Sequence, residues 1–401
     1  MVLVVSSFLP YAGVPLTDSQ SLSVSTVASF LVATAFLLRR LEIPGTLAFV
    51  ILAPFLSGFV QIFLGGGGPD PNGLVLWLLN IAPLVGLYVA LRLGHIKLVT
   101  RLAQGMLTAS CAYALLQKFF IDRGVLPLQW LYSTPGYAAV DPFIVTQYVK
   151  RPFGWYPEPS VLAVTISLGL AAVALMEFVS RGQPSTYTYV LFGLVLVTIF
   201  LSRSGSAVFA FALLPAIVFG AHLNRAPVAL FGIFAVPAAV SAALAILEDR
   251  NSTQNWSWGD RTASILGSLR YQSESLPDSL FGLGRGVVPR LFETRAIRAD
   301  DFAPEQALRD VFSVVVRIVL ENGFIIGPLV VGMLCLTMQR AAKRAMPTIS
   351  AVAMVALWVV SAGLTTSYES VAWLWCLPGI ALGILTMPDI GGTDADPADR
   401  E

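Results

Sequence analysis

Lys150-Arg151-Pro152-Phe153-Gly154-Trp155-Tyr156-Pro157-Glu158-Pro159-Ser160 runs without a break into Val161-Leu162-Ala163-Val164-Thr165-Ile166-Ser167-Leu168-Gly169-Leu170-Ala171-Ala172-Val173-Ala174-Leu175-Met176. The second half is uncharged and continues to Val179 as an apolar run with one acid, close to the roughly 20 residues that cross a bilayer as a helix. The first half sets two cations, three aromatic rings and one carboxylate at the mouth of that helix. Charge held at such a depth is costly and calls for a reason.

The same pattern extends along the whole chain. The sequence is 56% hydrophobic and 12% charged, whereas a soluble domain is about 25% charged. Apolar runs recur at 22–38, 44–64, 74–91, 102–120, 161–179, 189–201, 207–221, 228–247, 324–338, 349–365 and 371–386. In lipid each run must satisfy its own backbone hydrogen bonds, so helices are expected. The apolar start, 1–16, contains Pro10 and Pro15 and reads as a short first span or a re-entrant piece. It lacks the basic start and cleavage site of a signal peptide. The fold class is therefore all-α, a polytopic membrane helical bundle of about 11–12 transmembrane helices. One transmembrane domain is expected over 1–388, with a disordered cytoplasmic tail at 389–401. No internal repeat is visible.

Short basic stretches follow alternate runs: Arg39-Arg40, the cluster from Arg92 to Arg101, Arg181, His222 with Arg225, and the cluster from Arg340 to Arg344. By the positive-inside rule these face the cytoplasm. The loops 121–160 and 248–310, the turn at 202–206 and the turn at 366–370 then lie on the extracytoplasmic side. The segment 311–320, apolar but carrying Arg317, reads as an interfacial helix ahead of the next span.

Several chemistries are excluded early. The only histidines are His95 and His222, so a histidine-rich metal site is not available. Cys111, Cys335 and Cys376 all fall inside apolar runs and read as small buried hydrophobes rather than disulfide partners or ligands. Asp300-Asp301 has no obvious third ligand, so neither a metal nor another cofactor is expected. The formal net charge of +1 selects no partner, and no nucleic-acid partner is expected.

The candidate site residues lie on the outer side. Glu158, before Pro159, has two readings. It is a helix-start acid favoured by the dipole, or a carboxylate at a partly dry mouth acting as a general base. Arg151, Trp155 and Tyr156 accompany it as candidate substrate contacts. Arg203, between Ser202 and Ser204 in a very short turn, is either a snorkelling interfacial cation or an anion ligand beside the amides of the next helix. The loop 248–310 uses arginine and no lysine, a hint of bidentate recognition of phosphate or carboxylate. Within it Arg261, Arg270 and Arg285 stand out. Arg261 and Arg270 are nine positions apart and share a ligand only if the helix between them bends. Leu280-Phe281-Gly282-Leu283-Gly284-Arg285-Gly286 lacks the features of a nucleotide loop and reads as a turn presenting Arg285. Arg317 and Glu321 have the spacing of a structural ion pair.

Trp155-Tyr156-Pro157-Glu158-Pro159-Ser160 before an apolar span resembles the Glu-Pro-Ser signature of bacterial exopolysaccharide polymerases. Leu201-Ser202-Arg203-Ser204-Gly205-Ser206 resembles the Ser-Arg-Gly element of the O-antigen ligase and polymerase superfamily. Arg270, then 280–286, then Val319-Leu320-Glu321-Asn322-Gly323-Phe324-Ile325-Ile326-Gly327 is similar to the long-loop pattern of that superfamily. The pieces occur in the family's order over about 150–330. Ligases carry a His-Asn pair where this chain has about Phe312 and Ser313, and the expected topology leaves no outer histidine. The resemblance implies a glycosyltransferase of the bacterial inner membrane that joins polyprenyl-diphosphate-linked oligosaccharide repeat units without a metal. Glu158, Arg203 and Arg270 would be catalytic, and Arg151, Trp155, Tyr156, Arg261 and Arg285 would bind substrate. Membrane lipid and a chain-length regulator or export complex are the implied partners. A ligase, a lipid-linked sugar flippase and a structural scaffold of an export complex are the alternatives.

Overall fold

A computed structural model of the chain describes residues 1–10, 13–17, 20–38, 42–64, 70–133, 141–204, 207–222, 256–297, 311, 313–364 and 371–387. The expected span 228–247, the hinge glycines 65–68, Arg39-Arg40, Asp300-Asp301, the turn 366–370 and the tail 389–401 lie outside the described residues.

The described chain is all-α apart from one hairpin. Helix α1 (Val2–Ser6) is followed by strands β1 (Gly13–Thr17) and β2 (Gln20–Ser23), paired antiparallel. The apolar start is therefore a short helix and a hairpin rather than a span-length helix, and Leu3, Val4 and Phe8 enter the main core. Then come α2 (Val24–Leu38), α3 (Gly45–Phe63), α4 (Pro71–Arg92), α5 (Ile96–Ile121), α6 (Pro159–Arg181), α7 (Thr186–Ser202) and α8 (Ala207–Phe219). The expected long loop holds α9 (Trp256–Ser273), α10 (Leu276–Phe281) and α11 (Val288–Glu293). The chain closes with α12 (Val314–Ala345), α13 (Thr348–Leu364) and α14 (Ala372–Thr386). Among the described residues four helices, α3, α4, α6 and α12, are long and apolar enough to cross a membrane, and five shorter apolar helices accompany them. The protein is an integral membrane protein with several spans.

Helix α6 is the centre of the bundle. Ser185 ends the turn after it, and Pro159 opens it at a position where the missing N–H costs nothing. Every residue from Ser160 to Phe178 is buried, because α5, α7, α8, α12, α13 and α14 pack around it. Its small residues suit that position, since close helix approach rather than apolar transfer drives packing in lipid. Outer helices keep apolar side chains on their free faces, as Leu52, Phe59 and Ile62 of α3 show. Where α4 crosses α14, Gly379 and Gly383 are spaced four apart, and a Cβ at Gly379 would meet the Leu84 carbonyl oxygen at 2.4 Å. Trp77 and Trp375 meet edge-on at 5.3 Å along the same crossing.

Side-chain pairs fix which ends of the helices lie together. Tyr156 reaches Ser110 at 3.2 Å and Gln104 reaches Glu177 at 3.0 Å, so α5 and α6 are antiparallel. Glu177 is buried in the turn to α7, where it accepts from Ser185 N, Ser185 Oγ and Thr188 Oγ1 at 2.7–2.8 Å. That turn makes α6 and α7 antiparallel as well. At one end of the bundle, Arg92 donates to the Thr386 carbonyl and Arg344 to that of Leu385 at 3.3 Å, capping the C-terminus of α14 with cations. The starts of α4 and α6 and the ends of α5 and α7 share the opposite end.

Candidate functional site

The opening stretch is anchored to α5 rather than free. Gln117, buried on α5, accepts from the backbone N–H of Phe153 and of Gly154 at 2.8 Å each. Its amide nitrogen donates to the Gly154 carbonyl at 3.1 Å and to the Tyr132 hydroxyl at 2.9 Å. Tyr132 in turn donates to the Gly154 carbonyl at 2.6 Å and meets Phe153 edge-on. One amide side chain thus satisfies three buried backbone groups, which otherwise would each cost about 1–3 kcal/mol. Trp155 stacks on Tyr113 with centroids 5.2 Å apart. Tyr156 is buried, and burial pushes its phenol well above the usual tyrosine range, so it stays a neutral donor or acceptor beside Ser110. Its ring lies in the main core and serves as an anchor; of the two aromatics only half-buried Trp155 reaches the surface.

Glu158 is the N-cap residue of α6, with extended backbone, and makes no side-chain cap hydrogen bond. It therefore stands at the helix start, where the dipole favours an acid, without a cap hydrogen bond. Among the described residues no ion pair reaches it; it is half-buried, as is Arg151. Arg203 is exposed and terminates α7 in the left-handed conformation, φ 46°. Lys150 does the same at φ 48° after the π-helical segment Ile144–Val149. A side chain in that region costs roughly 1–2 kcal/mol, and such positions gather at functional sites. Gly205 and Ser206 lie outside the described residues.

The third part joins two distant stretches. Helix α12 breaks at Gly323, φ 78° and ψ 170°, into a short piece 314–322 and a long one 324–345. The break falls between the expected interfacial helix 311–320 and its following span. The short piece starts at Val314, capped by Ser313 Oγ on Val316 N at 3.1 Å, and its residues are all buried or half-buried. The loop 280–286 docks into the break. Leu283 N donates to Leu320 O at 2.8 Å and Gly284 N to Glu321 O at 3.2 Å. A Cβ on Gly282 would stand 2.5 Å from Glu321 O, and one on Gly323 would stand 2.2 Å from Leu280 O. Both glycines have positive φ, so the contact needs glycine on each side. From α3, Ser57 Oγ donates to Phe281 O at 2.5 Å and Gln61 donates to Gly282 O.

Inside this junction Arg285 and Glu321 form an ion pair with 2% and 0% of their side chains exposed. Arg317 Nε lies 3.3 Å from the same carboxylate, and Gly286 N donates to it at 3.1 Å. The Arg285 guanidinium lies 4.9 Å from the Trp77 ring centroid. Arg285, read from the sequence as a presented cation, is thus turned inward. Arg317 and Glu321 pair as expected, but as part of a three-member cluster.

Arg270 sits exposed near the end of α9, where Gln272 holds the helix to α12 through the Val319 carbonyl at 3.3 Å. Because α9 is one continuous helix, positions 261 and 270 are half a turn apart around it and do not converge on one ligand. The side chain of Arg261 lies outside the description. Glu158, Arg203 and the junction all occupy one end of the bundle, and no ion pair joins Glu158 to Arg203, Arg270 or Arg285. Both histidines are elsewhere. His95 starts α5 at the other end, and His222 bonds Tyr189 at 2.9 Å near the start of α7. Gln117 and Glu177 are the residues that sequence reasoning missed; each is a polar group inside an apolar run, which was the available signal.

Compared with known proteins, the chain matches no family model, and no characterised protein matches it.

Proposed function

We propose that the protein is a membrane glycosyltransferase that polymerises polyprenyl-diphosphate-linked oligosaccharide repeat units at the extracytoplasmic face of a bacterial inner membrane. The observation that carries this reading is the junction of 280–286 with the Gly323 break. Two stretches placed in one pattern only by their resemblance to the polymerase and ligase superfamily meet in space through paired glycines and a buried ion pair. The location of Glu158 and Arg203 at the same end of the bundle adds support.

In the proposed reaction an acceptor sugar hydroxyl attacks the anomeric carbon of the donor. The new C–O bond forms as the bond to the diphosphate breaks, and the electron pair leaves with the diphosphate. Glu158, whose carboxylate carries no cap bond, takes the hydroxyl proton. Arg203 and Arg270, both exposed, face the charge that builds on the leaving diphosphate. Trp155 and Arg151 border the sugar. Arg285 and Tyr156 act from behind, the first by holding the junction and the second by seating the opening stretch.

A ligase of the same superfamily is the second reading. The location of both histidines at the opposite end weighs against it. Surface glycan from cells lacking the protein separates the readings on a gel. Single-repeat material supports polymerisation, and full-length unattached polymer supports ligation.

A further inference from the structure

Between α5 and α6 the chain builds a small unit with its own core of Ile121, Leu126, Tyr132, Val145 and Phe153, separate from the main one. It exposes several large apolar side chains among its polar ones. Trp130 is 70% exposed, Phe143 61% and Tyr148 74%, and Val125, Leu128 and Ile144 are exposed as well. Phe143 and Tyr148 pack edge-on at 5.9 Å. Contiguous exposed apolar surface marks an interaction face, and exposed Trp and Tyr collect where membrane meets water.

The unit is tied to the end of the bundle where α6, a helix long and apolar enough to span, begins. Ile121 is both the last residue of α5 and a member of the small core. Gln117, one turn earlier, ties Phe153 and Gly154 to the helix, so the segment that leads into α6 is fixed beside the end of α5. Its charge fits a lipid surface. Lys118 pairs with Asp122, and Asp141 is engaged by Phe143 N at 2.8 Å. Arg123, its guanidinium 3.5 Å from the Phe119 ring, and Lys150 are exposed cations of the same unit. Gly124 abuts Gln147, which brings the Arg123 turn against the segment that ends at Lys150. Long cations at this level reach for headgroups while their stems lie on apolar surface.

We propose that the described parts of this unit, 121–133 and 141–151, form an interfacial anchor. It rests on the leaflet at the Glu158 end of the bundle, with its aromatic face in the headgroup–acyl boundary and Arg123 and Lys150 on anionic lipid headgroups. The inference does not depend on the glycosyltransferase reading or on which leaflet that is.

The test uses the full chain in lipid nanodiscs, spin-labelled at Phe143→Cys or Tyr148→Cys in a Cys335→Ala background, the other two cysteines being buried. Collision with oxygen should exceed collision with a water-soluble nickel chelate at both sites. The two sites should move shallower when anionic lipid is replaced by phosphatidylcholine, and this difference should be lost in the Arg123→Gln/Lys150→Gln variant. Dominant nickel collisions at both sites would overturn the anchor. Equal depth in the two lipid compositions would overturn the headgroup contacts. These exposed side chains pack against little, and retention of the monodisperse elution profile checks that each labelled protein is folded.

Discussion

Removing the charge of Glu321 while keeping its shape tests the junction most sharply. In Glu321→Gln the amide oxygen can still accept from Gly286 N, which lies 3.1 Å from the carboxylate, so the packing is retained. What is lost is the counter-charge of Arg285, 2% exposed, and of Arg317, 14% exposed. Two unit charges about 4 Å apart interact by roughly 4 kcal/mol at an effective dielectric constant of 20, and breaking a buried pair costs about 3–5 kcal/mol. Arg285→Met should cost less, because Arg317 remains on the carboxylate at 3.3 Å. In the double variant no buried counter-charge is missing from the Arg285 position, so its loss should fall short of the sum by about 2–3 kcal/mol. Reversible unfolding in mixed micelles gives all three values. A loss below about 1 kcal/mol for Glu321→Gln, or additive single effects, would refute the reasoning.

Other expectations follow from single contacts. Gly323→Ala puts a side chain at φ 78° and 2.2 Å from the Leu280 carbonyl, so it should remove folded protein from the membrane fraction, as a fluorescence-detected elution profile would show. Gln117→Leu strands the amides of Phe153 and Gly154 and should cost about 2–4 kcal/mol in the same unfolding assay. Tyr156→Phe loses the 3.2 Å contact to Ser110 and the hydroxyl's interaction with Trp155. It should cost about 0.5–1.5 kcal/mol and leave polymer length on a glycan gel unchanged; loss of polymer in a stable variant would return the Tyr156 hydroxyl to the substrate.

The spans were legible because lipid imposes one strong rule on the backbone. The run read as 161–179 is the helix Pro159–Arg181; the segment after 311 is a helix from Val314 that breaks at Gly323. What periodicity cannot carry is who meets whom across the fold. Arg285 and Glu321 are 36 positions apart, and only the close approach of Gly282 to Gly323 brings them together. Glycine supplies no pattern, so Arg285 read as a presented cation when it is an inward one. Gln117, a polar residue inside the apolar run 102–120, holds Phe153 and Gly154 of the opening stretch. Glu158 sits where the sequence put it, at the start of α6, and the structure adds that its carboxylate is not spent on capping.

The most direct measurement supplies lipid-linked repeat units, extracted from cells lacking the protein, to purified protein in liposomes and follows polyprenyl diphosphate release together with glycan length. The account predicts one polyprenyl diphosphate released for each linkage formed, with both lost in Glu158→Gln and in Arg203→Ala while each variant stays folded. Unchanged glycan length with the wild-type protein, or full chain extension by either variant, would contradict it.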